Sequence, residues 1–325
     1  MGGDFAPSNV VAGTLDALRQ SNNRFEIVLV GPEMLIRDSL AHHDVKGARV
    51  SIVNASEVID MHDGATAALR KKRDSSIAVG LALQNEGRAE AFISAGNTGA
   101  VMSASTLILG RVEGVGRPTI GAFLPSVNGV CLLLDAGANV DCKPQHLYEF
   151  GVMGSIYAGE MFGFEKPSVG LLNIGEEDAK GNEVVKEAFK LLKESRLNFV
   201  GNVEGRDILQ GKTNVVVCDG FTGNVLLKFG ESVPGFFKSM IRQYAGENIW
   251  RKLAAMGMRN LMRSAFKSMD YEEYGGVPVL GVNGVSIIGH GKSTPKAIKN
   301  MIFKAEEMVK KNINRRIREA LAGAR

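Results

Sequence analysis

Apolar residues along this chain gather into short runs, broken by Gly- and Asn-rich stretches and followed by segments of helical spacing. The runs at residues 25–30, 50–53, 91–93, 130–134, 168–173, 214–218 and 284–288 show little polar alternation, the pattern of strands buried on both faces. Val10, Val11, Thr14, Leu15 and Leu18 share one helical face near the start. Further helices are predicted over 77–85, 100–107 and 145–157, in a stretch ending at Leu192, and from Pro295 to about Leu321. The last of these has Ile298, Met301, Ile302, Ala305, Met308 and Val309 as its buried stripe. Asp74-Ser75-Ser76 supplies a cap for the 77–85 helix. Strands alternating with helices predict an α/β fold, a mainly parallel sheet in an α/β/α sandwich. In such folds the loops leaving the strands collect at one edge and form the ligand cleft. The 325 residues are read as one such catalytic unit.

One segment breaks the alternation. Residues 232–275 carry no strand signal and read as a protruding hairpin of two helices. Phe236, Phe237, Met240, Ile241 and Tyr244 lie on one side, and Trp250, Leu253, Met256, Met258, Leu261, Met262, Phe266 and Met269 crowd the next. Lys238, Arg242, Arg251, Lys252, Arg259, Arg263 and Lys267 are interleaved. That combination suits a dimer contact, an anionic membrane surface or ordinary core packing.

Composition narrows the classes. Hydrophobic residues make up 45% and charged residues 23%, as in soluble globular proteins. A net charge of +4 gives no bulk attraction for nucleic acid, although Arg70-Lys71-Lys72-Arg73 forms a local basic run, either a solvated face or a dock for an acidic partner. Cys131, Cys142 and Cys218 lack paired spacing, which points to a reducing compartment and to thiols used as small apolar filler. No signal peptide and no apolar run near the ~20 residues of a membrane span are evident, so a cytoplasmic location is expected. His42-His43 has no HxxxH or CxxC companion, and no metal is expected. Walker loops, spaced GxGxxG and nucleophile elbows are missing too, so no cofactor is expected.

Five Gly- and polar-rich loops follow the strands. They are Ser94-Ala95-Gly96-Asn97-Thr98-Gly99, Asp135-Ala136-Gly137-Ala138-Asn139, the stretch 174–182, Asp219-Gly220-Phe221-Thr222-Gly223-Asn224, and Gly289-His290-Gly291-Lys292-Ser293-Thr294. Taken singly, each is either a phosphate or carbonyl cradle or a capped strand-to-helix turn, because both uses draw on the same unpaired helix N–H groups.

In this order SAGNTGA, GRVEGVGRP, LLLDAGANVDCKP, LLNIGEEDAKGNE, VVCDGFTGN and GHGKST, together with MGGDFAP and ALRKKRDSSI, resemble the bacterial PlsX-type phosphate acyltransferases over essentially the whole chain. The resemblance implies a fold related to phosphotransacetylases and isopropylmalate dehydrogenases, usually as a homodimer. It implies transfer of a long-chain fatty acyl group from acyl carrier protein to inorganic phosphate, giving acyl phosphate for phosphatidic acid synthesis. It also implies peripheral contact with the inner face of the cell membrane, where a glycerol-phosphate acyltransferase would take the product. Family members carry a short apolar strand ending in Asp-Ala ahead of Met-Gly-Gly-Asp; in this sequence Met1 comes first. The family also often has a proline near Ala65.

For that reaction phosphate is itself the nucleophile. The protein must hold a dianion against a thioester carbonyl and stabilise the developing oxyanion. On the resemblance, Lys180 is the leading phosphate-binding cation and His290 the group that orients phosphate or takes its proton; a surface lysine and a capping histidine are the plain alternatives. His290 is the one histidine of five expected inside a cleft loop. Ser94, Gly96, Asn97, Thr98, Gly99, Asn139, Asn182, Asn224, Gly291, Lys292, Ser293 and Thr294 are the expected substrate contacts, while Asp135 and Asp219 are read as loop organisers. The alternatives are a short-chain phosphotransacetylase using coenzyme A and a non-catalytic membrane or carrier-protein adaptor.

Overall fold

A computed structural model describes residues 1–267 and 271–322. The chain runs α1 (Ser8–Gln20), β1 (Ile27–Gly31), α2 (Glu33–Ala41), β2 (Val50–Asn54), α3 (Ala65–Lys71), α4 (Ser76–Asn85), β3 (Ala91–Ser94) and α5 (Thr98–Ala104), the last widening into a π-turn over Ser105–Leu109. It continues through β4 (Thr119–Ile120), β5 (Ala122–Ser126), β6 (Gly129–Leu134), α6 (Pro144–Phe162), β7 (Ser168–Leu172), α7 (Glu183–Glu194), β8 (Asn198–Val203), α8 (Gly205–Gln210) and β9 (Val215–Val217). It closes with α9 (Gly220–Gly246), α10 (Ile249–Lys267), β10 (Val277–Leu280), β11 (Val285–Ile288), α11 (Pro295–Lys310) and α12 (Ile313–Ala322).

The strands form sheets of two (β1-β2), four (β3-β11-β10-β4) and five (β5-β6-β9-β7-β8). β3 and β11 are parallel, and so are β6, β9, β7 and β8; β5, β10 and β4 supply the antiparallel pairings. Hence the loops after β3 and β11 share one edge, and those after β6, β9 and β7 share another. Gly121, between β4 and β5, joins the two larger sheets, its amide donating to the Pro278 carbonyl at 3.2 Å. The central core packs α6 and α11 on these strands; Phe150, Met153, Tyr157, Leu132, Val215 and Met301 are fully buried. β1 and β3 face each other across a groove of about 700 Å³ floored by Ile298 and Ile302.

Three elements differ from the sequence reading. The helix expected over 295–321 is two, because Asn312 takes a left-handed φ of 51°. The strands β4, β5, β8 and β10 went unread: β4 has two residues, β8 is half polar, and β5 and β10 carry Pro125 and Pro278, which argue against a strand. The first hairpin helix begins at Gly220 rather than near Ser232, so it grows directly out of a cleft loop, and Pro234 sits inside it. Met269 lies outside the described residues, as do the side chains of Arg259, Met262, Arg263, Phe266 and Lys267.

Candidate active site

The 94–99 and 289–294 loops interlock. The Gly289 amide donates to the Ser94 carbonyl at 2.8 Å, and the Asp4 amide donates to Gly291 at 2.8 Å. Gly3 passes so close to the Ala95 and Gly291 carbonyls that a Cβ there would sit 2.9 Å and 3.3 Å from them, so the Met-Gly-Gly-Asp loop wedges between the other two. Asn97 caps α5 by accepting from Ala100 N–H at 3.0 Å, while its Nδ2 donates to the carbonyls of Asp60, Met61 and Asp63. Its amide is committed to bracing the 60–63 loop. Ser94 Oγ accepts from Gly96 N–H, Ser293 Oγ donates to the His290 carbonyl at 2.6 Å, and Thr294 caps α11. What this cluster turns outward is Thr98, Gly99, His290 and Lys292, all exposed. Nδ1 of His290 accepts the Lys292 amide at 3.1 Å. Among the described residues no carboxylate lies within 4 Å of Lys292.

The 135–139 loop is built around one buried carboxylate. Asp135 accepts from the amides of Ile120, Gly137, Ala138 and Asn139 and from Asn139 Nδ2. Burial pushes its carboxyl up, and these donors pull back. Asn139 Nδ2 also reaches the Pro118 carbonyl at 2.8 Å, and its own carbonyl accepts the Gly220 amide at 2.7 Å. Asp219 caps α9 through Thr222 N–H. Gly220 and Gly223 fall on the helix face that meets this loop. A Cβ at 220 would lie 2.7 Å from the Asn139 carbonyl, and at 223 it would overlap the Asp135 carbonyl. The DGFTGN motif therefore seats a helix N-terminus on the loop, with Asn224 exposed beside Gly137. Both Asp135 and Asp219 organise loops, as read from the sequence. Ala138 packs on the apolar cluster that also holds Ala100, Val101 and Ala104 of α5 and Ile120 of β4.

Lys180 and Asn182 lie in the loop after β7. Asn182 caps α7 through Val185 N–H, Asn173 Nδ2 donates to the Lys180 carbonyl, and Lys180 Nζ stands 4.0 Å from Glu177. These contacts stay within the loop. The 94–99 and 289–294 loops are bonded to each other, whereas among the described residues Lys180 has no hydrogen bond to either.

Three side chains at the cleft were missed by the sequence reading. Arg117 precedes Pro118; Lys143 and His146 open α6. His146 Nδ1 accepts the Lys143 amide at 3.1 Å. Its imidazole is pushed down first by burial and then by Arg117 and Lys143. So His290 is not the only histidine at the strand-end loops. Glu149, buried one turn further along α6, accepts from Gly116 N–H at 2.7 Å and from the Arg117 amide. The thiols are poor nucleophile candidates: burial, aided by Asp135, pushes Cys142 up to about 12, and burial raises Cys218 too. Among the described residues no group of His, Cys, Asp and Glu is placed to hold a metal ion.

Comparison with known proteins gives a consistent picture. A family model described as fatty acid synthesis protein matches residues 1–316. A phosphate acyltransferase of Chlorobaculum tepidum is 47% identical over 99% of this chain and 100% of its own length. One of Caldanaerobacter subterraneus is 46% identical over 99% and 95%. Among solved structures, the EutD phosphotransacetylase of Staphylococcus aureus aligns over 92% of both chains with a TM-score of 0.58 at 15% identity. A Streptococcus pyogenes phosphotransacetylase aligns over 92% of this chain and 91% of its own with a TM-score of 0.59 at 16% identity. At those identities the structural likeness speaks for the α/β fold alone.

Proposed function

Because the chain belongs to the phosphate acyltransferase family and is an acyltransferase, we propose that it moves a long-chain fatty acyl group from acyl carrier protein onto inorganic phosphate, making acyl phosphate for phospholipid synthesis. A phosphate oxygen attacks the thioester carbonyl, the carbon–sulfur bond breaks, and the proton of the phosphate passes to the departing thiolate. In this reading His290 relays that proton. Lys180 and Lys292 offset the charge of the dianion, and amides of the 94–99 and 289–294 loops face the developing oxyanion. The observation that supports the proposal is the bond from Gly289 to Ser94 that ties these two loops together, with Thr98, His290 and Lys292 exposed on them. Direct attack by phosphate also accords with thiols that burial keeps protonated.

The hairpin of α9 and α10 fits an enzyme whose product must pass to a membrane. Phe229, Phe236, Trp250, Met256 and Leu261 are exposed, each by more than 60%. No helix among the described residues is long and apolar enough to cross a bilayer. In this reading the hairpin touches an anionic bilayer, or a second copy of the chain, while the α/β body stays in solution. The test is acyl phosphate formation with palmitoyl carrier protein and phosphate, against acetyl-coenzyme A and phosphate. Palmitoyl carrier protein should be the better donor, and His290→Ala and Lys180→Ala should each slow the reaction by about 100-fold. Turnover of acetyl-coenzyme A alone would replace this reading with a short-chain phosphotransacetylase.

A further inference from the structure

The start of the chain is threaded into the interlocked loops. Gly2 takes a left-handed φ of 85°, and a Cβ there would lie 2.5 Å from the Ile59 carbonyl oxygen. Gly3 passes between the Ala95 and Gly291 carbonyls, and the Asp4 amide is bonded to Gly291. Behind this loop Asn9 Nδ2 donates to the Ser293 carbonyl at 3.0 Å, and Gly13 lets α1 close on Pro295 and Ile298. The backbone that presents Asp4 is therefore tied to the 289–298 stretch at successive points. A residue carried in this way has little backbone freedom left to lose on binding.

Its side chain places a carboxylate against a glycine. Asp4 Oδ1 lies 3.3 Å from the point that a Cβ of Gly291 would occupy, and Met61 Cε, from the loop that Asn97 braces, lies equally near. Gly291 is flanked by His290 and Lys292, so Asp4 brings a negative charge to the loop read above as a phosphate contact. Asp4 is exposed, and among the described residues its carboxylate forms no ion pair and no hydrogen bond. Both of its oxygens keep their accepting capacity for a group from outside the chain. An ionised carboxylate can only accept. It repels an oxyanion without protons and holds one that offers an O–H. Inorganic phosphate keeps a proton on one oxygen at neutral pH, whereas sulfate keeps none.

We propose that Asp4 is the residue that selects inorganic phosphate over other tetrahedral oxyanions, by accepting a hydrogen bond from the phosphate oxygen that carries a proton. The proposal rests on the acyltransferase reading above. Lys292 attracts any oxyanion. Asp4 rejects those with no proton to donate, because its charge then meets a bare anionic oxygen. The same hydrogen bond fixes which phosphate oxygen is protonated and leaves an unprotonated one free to attack the thioester carbonyl.

The experiment uses the full chain with Asp4→Asn, Asp4→Ala and, as a remote control, Asp38→Asn. Folding is checked by circular dichroism and thermal melting. Acyl phosphate formation is followed against phosphate concentration, with sodium sulfate as the competing anion at constant ionic strength. In wild type the sulfate inhibition constant should exceed the phosphate KM by at least about tenfold; similar constants overturn the proposal. Each Asp4 variant should raise KM for phosphate and lower the sulfate inhibition constant, so that their ratio falls by about tenfold or more. Asp38→Asn should leave the ratio unchanged. A purely structural role for Asp4 would weaken both anions together or lower kcat alone. Folded Asp4 variants whose ratio falls by less than tenfold overturn the proposal and leave the acyltransferase reading standing. If wild-type protein makes no acyl phosphate, that reading fails. Calorimetric titration with inorganic phosphate and with sulfate then decides the role of Asp4 alone. A preference for phosphate that disappears in Asp4→Asn keeps it; no preference in wild type, or one that survives the substitution, overturns it.

Discussion

α6 and the α9–α10 hairpin are both long helical elements rich in apolar residues, and they end in opposite circumstances. On α6, Phe150, Met153 and Tyr157 are completely buried against β6, β7 and β9. On the hairpin, Trp250 is 78% exposed, and Phe229, Phe236 and Met256 are exposed as well. Charge divides less cleanly. Around the body Arg24, Lys193 and Arg316 pair with Glu306, Asp178 and Glu160. On the hairpin Lys228 and Arg251 pair with Glu231 and Glu247, while Lys238, Arg242 and Lys252 have no carboxylate within 4 Å among the described residues. One apolar face is covered by its own chain and the other stands in solvent. Helical periodicity reveals that an apolar face exists, and only tertiary structure reveals what covers it.

The sharpest way to break this contrast is truncation on each side. Phe150→Ala should cost about 3–5 kcal/mol in urea unfolding, because it removes a ring from a packed core and leaves a cavity. Trp250→Ala should change stability by only about 0.5 kcal/mol or less, since its side chain is largely exposed. Equal costs would mean that the hairpin is covered in solution, and a concentration-dependent midpoint would identify a second copy as the cover.

The next test asks what the exposed face does. A Phe236→Ala, Trp250→Ala double variant should co-sediment with anionic vesicles at least about tenfold less than wild type, from the apolar area it no longer buries. Raising salt should weaken wild-type binding as well, through the hairpin cations. Unchanged sedimentation would remove the membrane from the account of this hairpin and leave self-association.

The same contrast explains what was legible in the sequence. Residue type at a strand end announces a cap, and Ser75, Asn97, Asn182, Asp219 and Thr294 all cap helices. The second engagement of such a residue is invisible: nothing in SAGNTGA says that Asn97 Nδ2 reaches three carbonyls of the 60–63 loop. Arg117 was overlooked for a related reason. It lies in an irregular loop before a two-residue strand, and its neighbours Lys143 and His146 come from another motif. GRVEGVGRP and DAGANVDCKP are brought together only through Asn139 and Glu149, which are bonded across 21 and 33 residues of chain. The unread strands β4 and β10 pair antiparallel with each other, outside the parallel pattern that made the rest recognisable.

The smallest effect sharpens the charge side of the comparison. Arg24 grips Glu306 through Nε and Nη2 at 2.6 and 2.7 Å, clasping the end of α1 to α11, and Lys310 adds a third contact. The Arg24 hydrogen bonds, then Lys310, hold the Glu306 carboxyl at about 2, below its ordinary 4.5. A depressed carboxyl stabilises the fold fully above the unfolded value, and the contribution fades as pH falls from about 4.5 through about 2. Arg24 is half exposed, so the clasp is worth no more than a few tenths to about 1 kcal/mol. Glu306→Gln should therefore lower stability by that amount at pH 7 and converge on wild type near pH 2, read from urea midpoints across the range. Over the same acid range the unpaired hairpin cations have no carboxylate to lose. If Glu306→Gln parallels wild type at every pH, the clasp is not formed in solution, and the body's surface is less self-contained than its pairing implies.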